Sequence, residues 1–171
     1  MGPSGSKWED GVLIRARTSV LWGDSIEQMF LGEYEHTLDE KGRFTIPAKF
    51  RSQLALGLVI TRGIDRCLVL HPMEHFKGLA GKISNLPATS PQARGFRRLE
   101  FSGAVDTAAD KQGRVGLPNH LREYANIDKQ MVIIGLFDYC EIWNPETWQE
   151  LKQRSYEDPE GRAEQFANLG I

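Results

Sequence analysis

The 171-residue chain has only two cysteines, Cys67 and Cys140, far apart in sequence. That is too few for a disulfide scaffold or a four-thiolate zinc site, so both read as small buried apolar residues. Its apolar runs all fall short of the roughly 18 residues that a membrane-spanning helix requires. The N-terminus also lacks the basic start and apolar middle of a secretory signal, so the cytoplasm is the expected compartment. Charge of one sign is lacking as well: 21 basic and 23 acidic residues give a formal net charge of −2. Any claim of polyanion binding must therefore rest on where charges cluster. The phosphate-binding G-x-x-x-x-G-K-[ST] loop and the G-x-S-x-G elbow are both missing. His71, Glu74 and His75 do fit H-x-x-E-H, but Pro72 drives the residue before it out of the helical region. The two histidines then do not share one helix face, so zinc catalysis is not expected. The expectation is a non-enzyme with no cofactor and no metal.

What is present is a repeat. Asp-x-x-Gly-Arg-x-x-x-Pro occurs at 39–47 (DEKGRFTIP) and at 110–118 (DKQGRVGLP), 71 residues apart. With that offset Phe30 falls on Phe101, Gly32 on Gly103, Asp39 on Asp110, Gly42 on Gly113, Arg43 on Arg114, Pro47 on Pro118 and Arg51 on Arg122. Further along the offset becomes 73 and pairs Cys67 with Cys140, which supports a shared core position for the thiols.

Each copy has the same plan. FLGEYEHTL alternates as a half-buried strand, and Asp-Glu-Lys-Gly supplies turn chemistry in which Gly42 takes a positive φ. The chain reverses there, resumes a short β run from Arg43 to Ile46, and enters a short helix (PAKFRSQL) at Pro47. LVITR and CLVLH then form a hairpin, matched in the second copy by MVIIGLF and CEIWN. Each half is thus hairpin, short helix, hairpin. About 50 residues bury too little surface to stand alone, so the halves are expected to interleave into one barrel-like body.

Bases cluster in two stretches: Lys41, Arg43, Lys49, Arg51, Arg62 and Arg66 against Asp65, and Lys77, Lys82, Arg94, Arg97 and Arg98 with no acid between. Seven acids between Glu141 and Glu164 offset them, so a basic body carries an acidic tail. The 77–98 stretch reads equally well as a solvated helix face. Residues 1–28 show no sustained period and are read as a flexible leader or remnant, with Met29 as a natural start.

The span Met29–Ile171 resembles the MraZ family of bacterial regulators, on MFLGEYEHTLDEKGRFTIPAKFR, GRVGLP and the Trp-bearing segment after EIWNPETW. One Asp-x-x-x-Arg specifies little; two copies in register within a duplicated context are specific. The resemblance implies an α+β, mainly β fold. Two tandem swapped-hairpin AbrB-like (SpoVT-type) halves would form one pseudo-twofold barrel with flanking helices. It divides the chain into a leader (1–28), a first half (33–80), a basic connecting helix and strand (81–108), a second half (109–152) and a helical tail (153–171). It implies a nucleoid-associated, sequence-specific repressor that binds double-stranded DNA, at tandem direct repeats in the promoter of the division and cell-wall gene cluster. The partner set is DNA and further copies of the chain in a ring, without a membrane. Carried onto this sequence, the DNA contacts are Arg43 and Arg114, with Lys41 and, one position off register, Lys111. Gln112 stands where the first copy has Lys41.

The residues themselves leave two readings open. Arg43 and Arg114 either reach DNA, where an arginine bonds a guanine bidentately or pairs with phosphate, or close salt bridges to Asp39 and Asp110 that pin the turns. Both hold together if the aspartates orient the arginines, with Gly42 and Gly113 as backbone devices. Lys49, Arg51 and Arg122 read more readily as solvated helix face. An antitoxin-type module and a ring scaffold without DNA specificity are the alternatives.

Overall fold

The computed structural model describes residues 29–170; the leader read at 1–28 lies outside the described residues. Among the described residues, eight strands make up the body. They are β1 (Phe30–Thr37), β2 (Arg43–Thr45), β3 (Leu58–Arg62), β4 (Leu68–Pro72), β5 (Val105–Thr107), β6 (Arg114–Gly116), β7 (Gln130–Phe137) and β8 (Cys140–Trp143). Five α-helices accompany them within the same residues: α1 (Met73–Ser84), α2 (Pro91–Gly103), α3 (Asn119–Tyr124), α4 (Pro145–Glu157) and α5 (Pro159–Asn168). The fold is α+β and mainly antiparallel β.

The halves interleave strand by strand. One sheet runs β1-β7-β8-β4-β3-β5, and β2 pairs only with β6 in a separate two-stranded ribbon. Exchanging the halves (β1 for β5, β3 for β7, β4 for β8) reads the six-stranded order backwards onto itself, so a pseudo-twofold axis passes between β4 and β8. The hairpins expected from the apolar runs are present as β3–β4 and β7–β8. The expected reversal at Asp39–Gly42 also occurs, but β1 and β2 do not pair with each other. β1 pairs with β7 along its whole length, from Phe30↔Phe137 to Thr37↔Gln130. The reason is burial: crossing to the other half lets Phe30, Phe44, Val115, Met131 and Ile133 share one buried cluster, which neither half could enclose alone.

Two details differ from the sequence reading. Phe101 and Gly103 end helix α2, whereas their offset partners Phe30 and Gly32 lie in β1, so the strand repeat begins only near Tyr34 and Val105. The segment after Pro47 is a single 3-10 turn, Ala48–Phe50, with Pro47 as its cap; its counterpart after Pro118 is the six-residue α3. Phe50 is nonetheless buried, edge-on to Phe30 at 5.0 Å and to Tyr34 at 5.2 Å.

The flanking helices start as their sequences dictate. Asn144 accepts from the Glu146 and Thr147 N–H groups at the head of α4, and Ser90 accepts from Ala93 at the head of α2. Arg97 of α2 donates to the carbonyls of Ile83, Ser84 and Leu86 and so caps the C-terminal end of α1. Trp148 of α4 lies 5.7 Å from Trp143, over a second buried cluster of Cys67, Val132, Ile134 and Trp143. Both cysteines are buried in core positions, as the offset of 73 implied. His71 leaves β4 and meets His75 of α1, their Nδ1 atoms 2.9 Å apart. Among the described residues no group of three or more potential ligands accompanies them, and no helix is long and apolar enough to cross a membrane.

Candidate nucleic-acid interface

The two Asp-x-x-Gly-Arg turns are built alike, bond for bond. Gly42 and Gly113 adopt φ of 71° and 77°, a region that side chains with a Cβ disfavour. Gly42 N–H donates to the Asp39 carbonyl at 2.9 Å and Asp39 N–H to the Arg43 carbonyl at 2.8 Å; Asp110, Gly113 and Arg114 repeat both bonds at 2.9 Å. Each aspartate is spent inside its turn. Asp39 Oδ1 accepts from the Lys41 and Arg43 backbone N–H groups, and Oδ2 from Arg43 Nε, each within 2.9 Å. Asp110 Oδ1 likewise accepts from Gln112 and Arg114, and Oδ2 from Arg114 Nε.

These contacts set the charges. The Arg43 side chain, followed by its backbone N–H, holds the Asp39 carboxyl below the ordinary aspartate range. At Asp110 the backbone N–H of Arg114 is the largest cause of the same lowering, with its side chain behind it. A carboxylate with both oxygens engaged presents little free charge to repel a polyanion. The arginine keeps more in reserve: Arg43 uses Nε and Nη2 on Asp39, and three of its five N–H bonds still point elsewhere. The turn thus holds a guanidinium at a fixed angle with its outer edge unspent. The ion pairs expected to pin the turns are thus present in both copies.

The ribbon brings the two arginines together. Arg43 pairs with Gly116, Phe44 with Val115 and Thr45 with Arg114. Phe44 and Val115 point into the core, so alternation puts Arg43, Thr45, Arg114 and Gly116 on the opposite, outward face. Arg43 and Arg114 are diagonal neighbours across that ribbon, a spacing of roughly 7–8 Å. A two-stranded β-ribbon is one of the few protein elements that fits the major groove of B-DNA. Lys41 and Lys111 are exposed and make no ion pair among the described residues. They are not equivalent: Lys111 occupies the place of Glu40, and Gln112 that of Lys41.

Arg51 and Arg122, expected on a solvated helix face, each lean instead on the turn of the opposite half. Arg51 Nε donates to the Ile46 carbonyl at 3.2 Å and packs over Gly113. Arg122 Nη2 donates to the Asp128 carbonyl at 2.7 Å, with Nη1 beside Gly42. The signal was visible as the identity of Arg51 and Arg122 at offset 71, but its meaning required the crossing of halves. Lys49 is exposed, as read.

The chain matches the family described as "MraZ protein, putative antitoxin-like" over residues 29–99 and again over 101–167, the first segment containing β1 to β4 and the second β5 to β8. It is 52% identical over 143 residues to a protein of Herpetosiphon aurantiacus named "Transcriptional regulator MraZ", covering 84% of this chain and 100% of that one. A Moorella thermoacetica protein of the same name is 43% identical over the same shares, and one from Roseiflexus castenholzii 51% identical over 72% of this chain and 86% of its own.

Proposed function

This chain belongs to the MraZ family and is a transcriptional regulator, and from that premise we propose that it binds double-stranded DNA through the outward face of the β2–β6 ribbon. The observation that carries this reading is the shared face of Arg43 and Arg114. Two guanidinium groups, each oriented by its own aspartate, stand on one groove-sized element, with Lys41, Lys111, Arg51 and Arg122 close by. Arg43 and Arg114 bond base edges or phosphates, the two lysines add phosphate contacts, Asp39 and Asp110 orient the arginines, and Gly42 and Gly113 shape the turns.

The target is a set of tandem direct repeats in the promoter of the division and cell-wall gene cluster, where the protein represses. One ribbon neutralises few phosphates and binds weakly at physiological salt. A ring of protomers that places ribbons about one helical turn apart, on the order of 34 Å, engages successive repeats with avidity. Exposed apolar side chains favour such assembly: Ile64 (91% exposed) and Leu99 (64%) flank a surface cleft with Phe96 and Tyr124.

A mobility shift on a duplex carrying the promoter repeats, run across salt concentrations for the parent and Arg43→Ala, tests the proposal. The expected result is salt-sensitive binding by the parent and at least tenfold weaker binding by the folded variant. Equal binding by both would remove Arg43 from the interface and overturn the ribbon reading that rests on it.

A further inference from the structure

The two turns match bond for bond, but the ribbon between them does not. Its outward face carries Arg43 and Thr45 from one half, Arg114 and Gly116 from the other. Thr45 stands opposite Arg114, and Gly116 stands opposite Arg43. Where Thr45 supplies a hydroxyl and a methyl, a Cβ placed on Gly116 would find nothing within 4 Å. Gly116 also lies outside the positive-φ glycines, so its backbone does not call for glycine. The space is therefore an opening in the outward surface beside Arg43, and nothing in the fold requires it to be empty.

If both halves carried the same residue here, the paired strands of the ribbon would present the same face in either orientation, and only the turn residues Glu40, Lys41, Lys111 and Gln112 would tell the two ends apart. We propose that the Thr45–Gly116 difference fixes the direction in which the ribbon lies on DNA and makes Thr45 a specificity-determining residue. This rests on the ribbon being the DNA-binding element. Beside Arg114, Thr45 presents its methyl to the C5-methyl of a thymine and its hydroxyl to a base-edge acceptor or donor. Beside Arg43, the missing side chain at Gly116 lets the duplex approach closely, so that end reads through the arginine alone. One end of the ribbon thus discriminates by shape and methyl contact as well as by guanidinium, and the other does not. A non-palindromic repeat is the site such a face selects.

Selection from duplexes randomised at the centre of one repeat tests this, using the intact chain, Thr45→Gly, Gly116→Thr and the double exchange, each first shown to unfold cooperatively. The parent should enrich an asymmetric centre. Thr45→Gly should lose about tenfold discrimination at one base pair, the typical effect of one mismatched contact, and Gly116→Thr should gain discrimination at the mirror-related pair. The double exchange should move the preferred pair to the mirror position relative to flanks still set by Lys41 and Gln112. Retention of the parental centre by Thr45→Gly and by the double exchange would overturn the assignment while leaving the ribbon as the interface. Arg43→Ala, run alongside, separates that result from a failure of the underlying reading: unchanged binding there, or no enrichment by the parent, would overturn both.

Discussion

Arg51 from the first half lies directly over Gly113 in the turn of the second, so near that a Cβ on Gly113 would stand 2.6 Å from Arg51 Nε. Arg122 stands in the matching place over Gly42, at 3.5 Å. The turns that present Arg43 and Arg114 are therefore braced from the other half of the chain.

Replacing Gly113 with Ala should destabilise the protein by about 1–2 kcal/mol through the positive φ alone, and by more than Gly42→Ala because Arg51 must also move. Urea unfolding of the two variants and of Gly113→Ala in an Arg51→Ala background measures this. The second substitution should bring the Gly113 variant closer to the Gly42 variant.

Because β1, β2 and β4 find partners in β7, β6 and β8, residues 29–99 expressed alone should lack cooperative unfolding. The intact chain should unfold in one transition. Phe44→Ala, at the buried side of the ribbon, should cost about 3–5 kcal/mol and lower the midpoint of that same transition without splitting it.

Acid should weaken the fold through His71. Burial, and secondarily the neighbouring His75, push its pKa down from 6.5 to about 4. The unfolded chain then binds more protons between those values, so this contribution is complete above pH 6.5 and is lost as pH falls toward 4. His36, also lowered by burial, acts in the same sense. Half-buried Glu100 and Glu141, whose carboxyls are raised chiefly by desolvation, act in the opposite one. The loss in urea midpoint from pH 7 to pH 5 should therefore be smaller in His71→Gln than in the parent.

The thiols should be silent in the folded protein. Burial pushes Cys67 up to about 12 and Cys140 higher still, leaving almost no thiolate at neutral pH. Labelling by a thiol reagent should proceed only at the rate of opening, and the count of reactive thiols should rise to two in denaturant.

Asp39→Asn should separate orientation from charge. It removes an acid from a basic face, which by net charge alone would strengthen DNA binding, yet it also frees the Arg43 guanidinium from its fixed angle. If orientation matters more, the variant binds the specific repeats less tightly while its binding to unrelated duplex is unchanged or stronger. Competition with unrelated DNA at fixed salt reads the difference.

The repeat, the Gly turns, the paired cysteines and the two apolar hairpins were legible from residues alone, because each depends on local chemistry: a positive φ, a carboxylate two residues before an N–H, a run of β-branched side chains. So was the pairing of each turn's aspartate with its arginine. Which strand pairs with which was not legible. The turn at Asp39–Gly42 suggests a β1–β2 ladder, and only the demand for a shared core sends β1 to β7 and β2 to β6. That crossing places Arg43 and Arg114 on one face, lays Arg51 and Arg122 over the opposite turns, and sets Thr45 against Gly116. Local sequence determined two copies of one device; the packing of two halves too small to fold apart decided that they form a single ribbon.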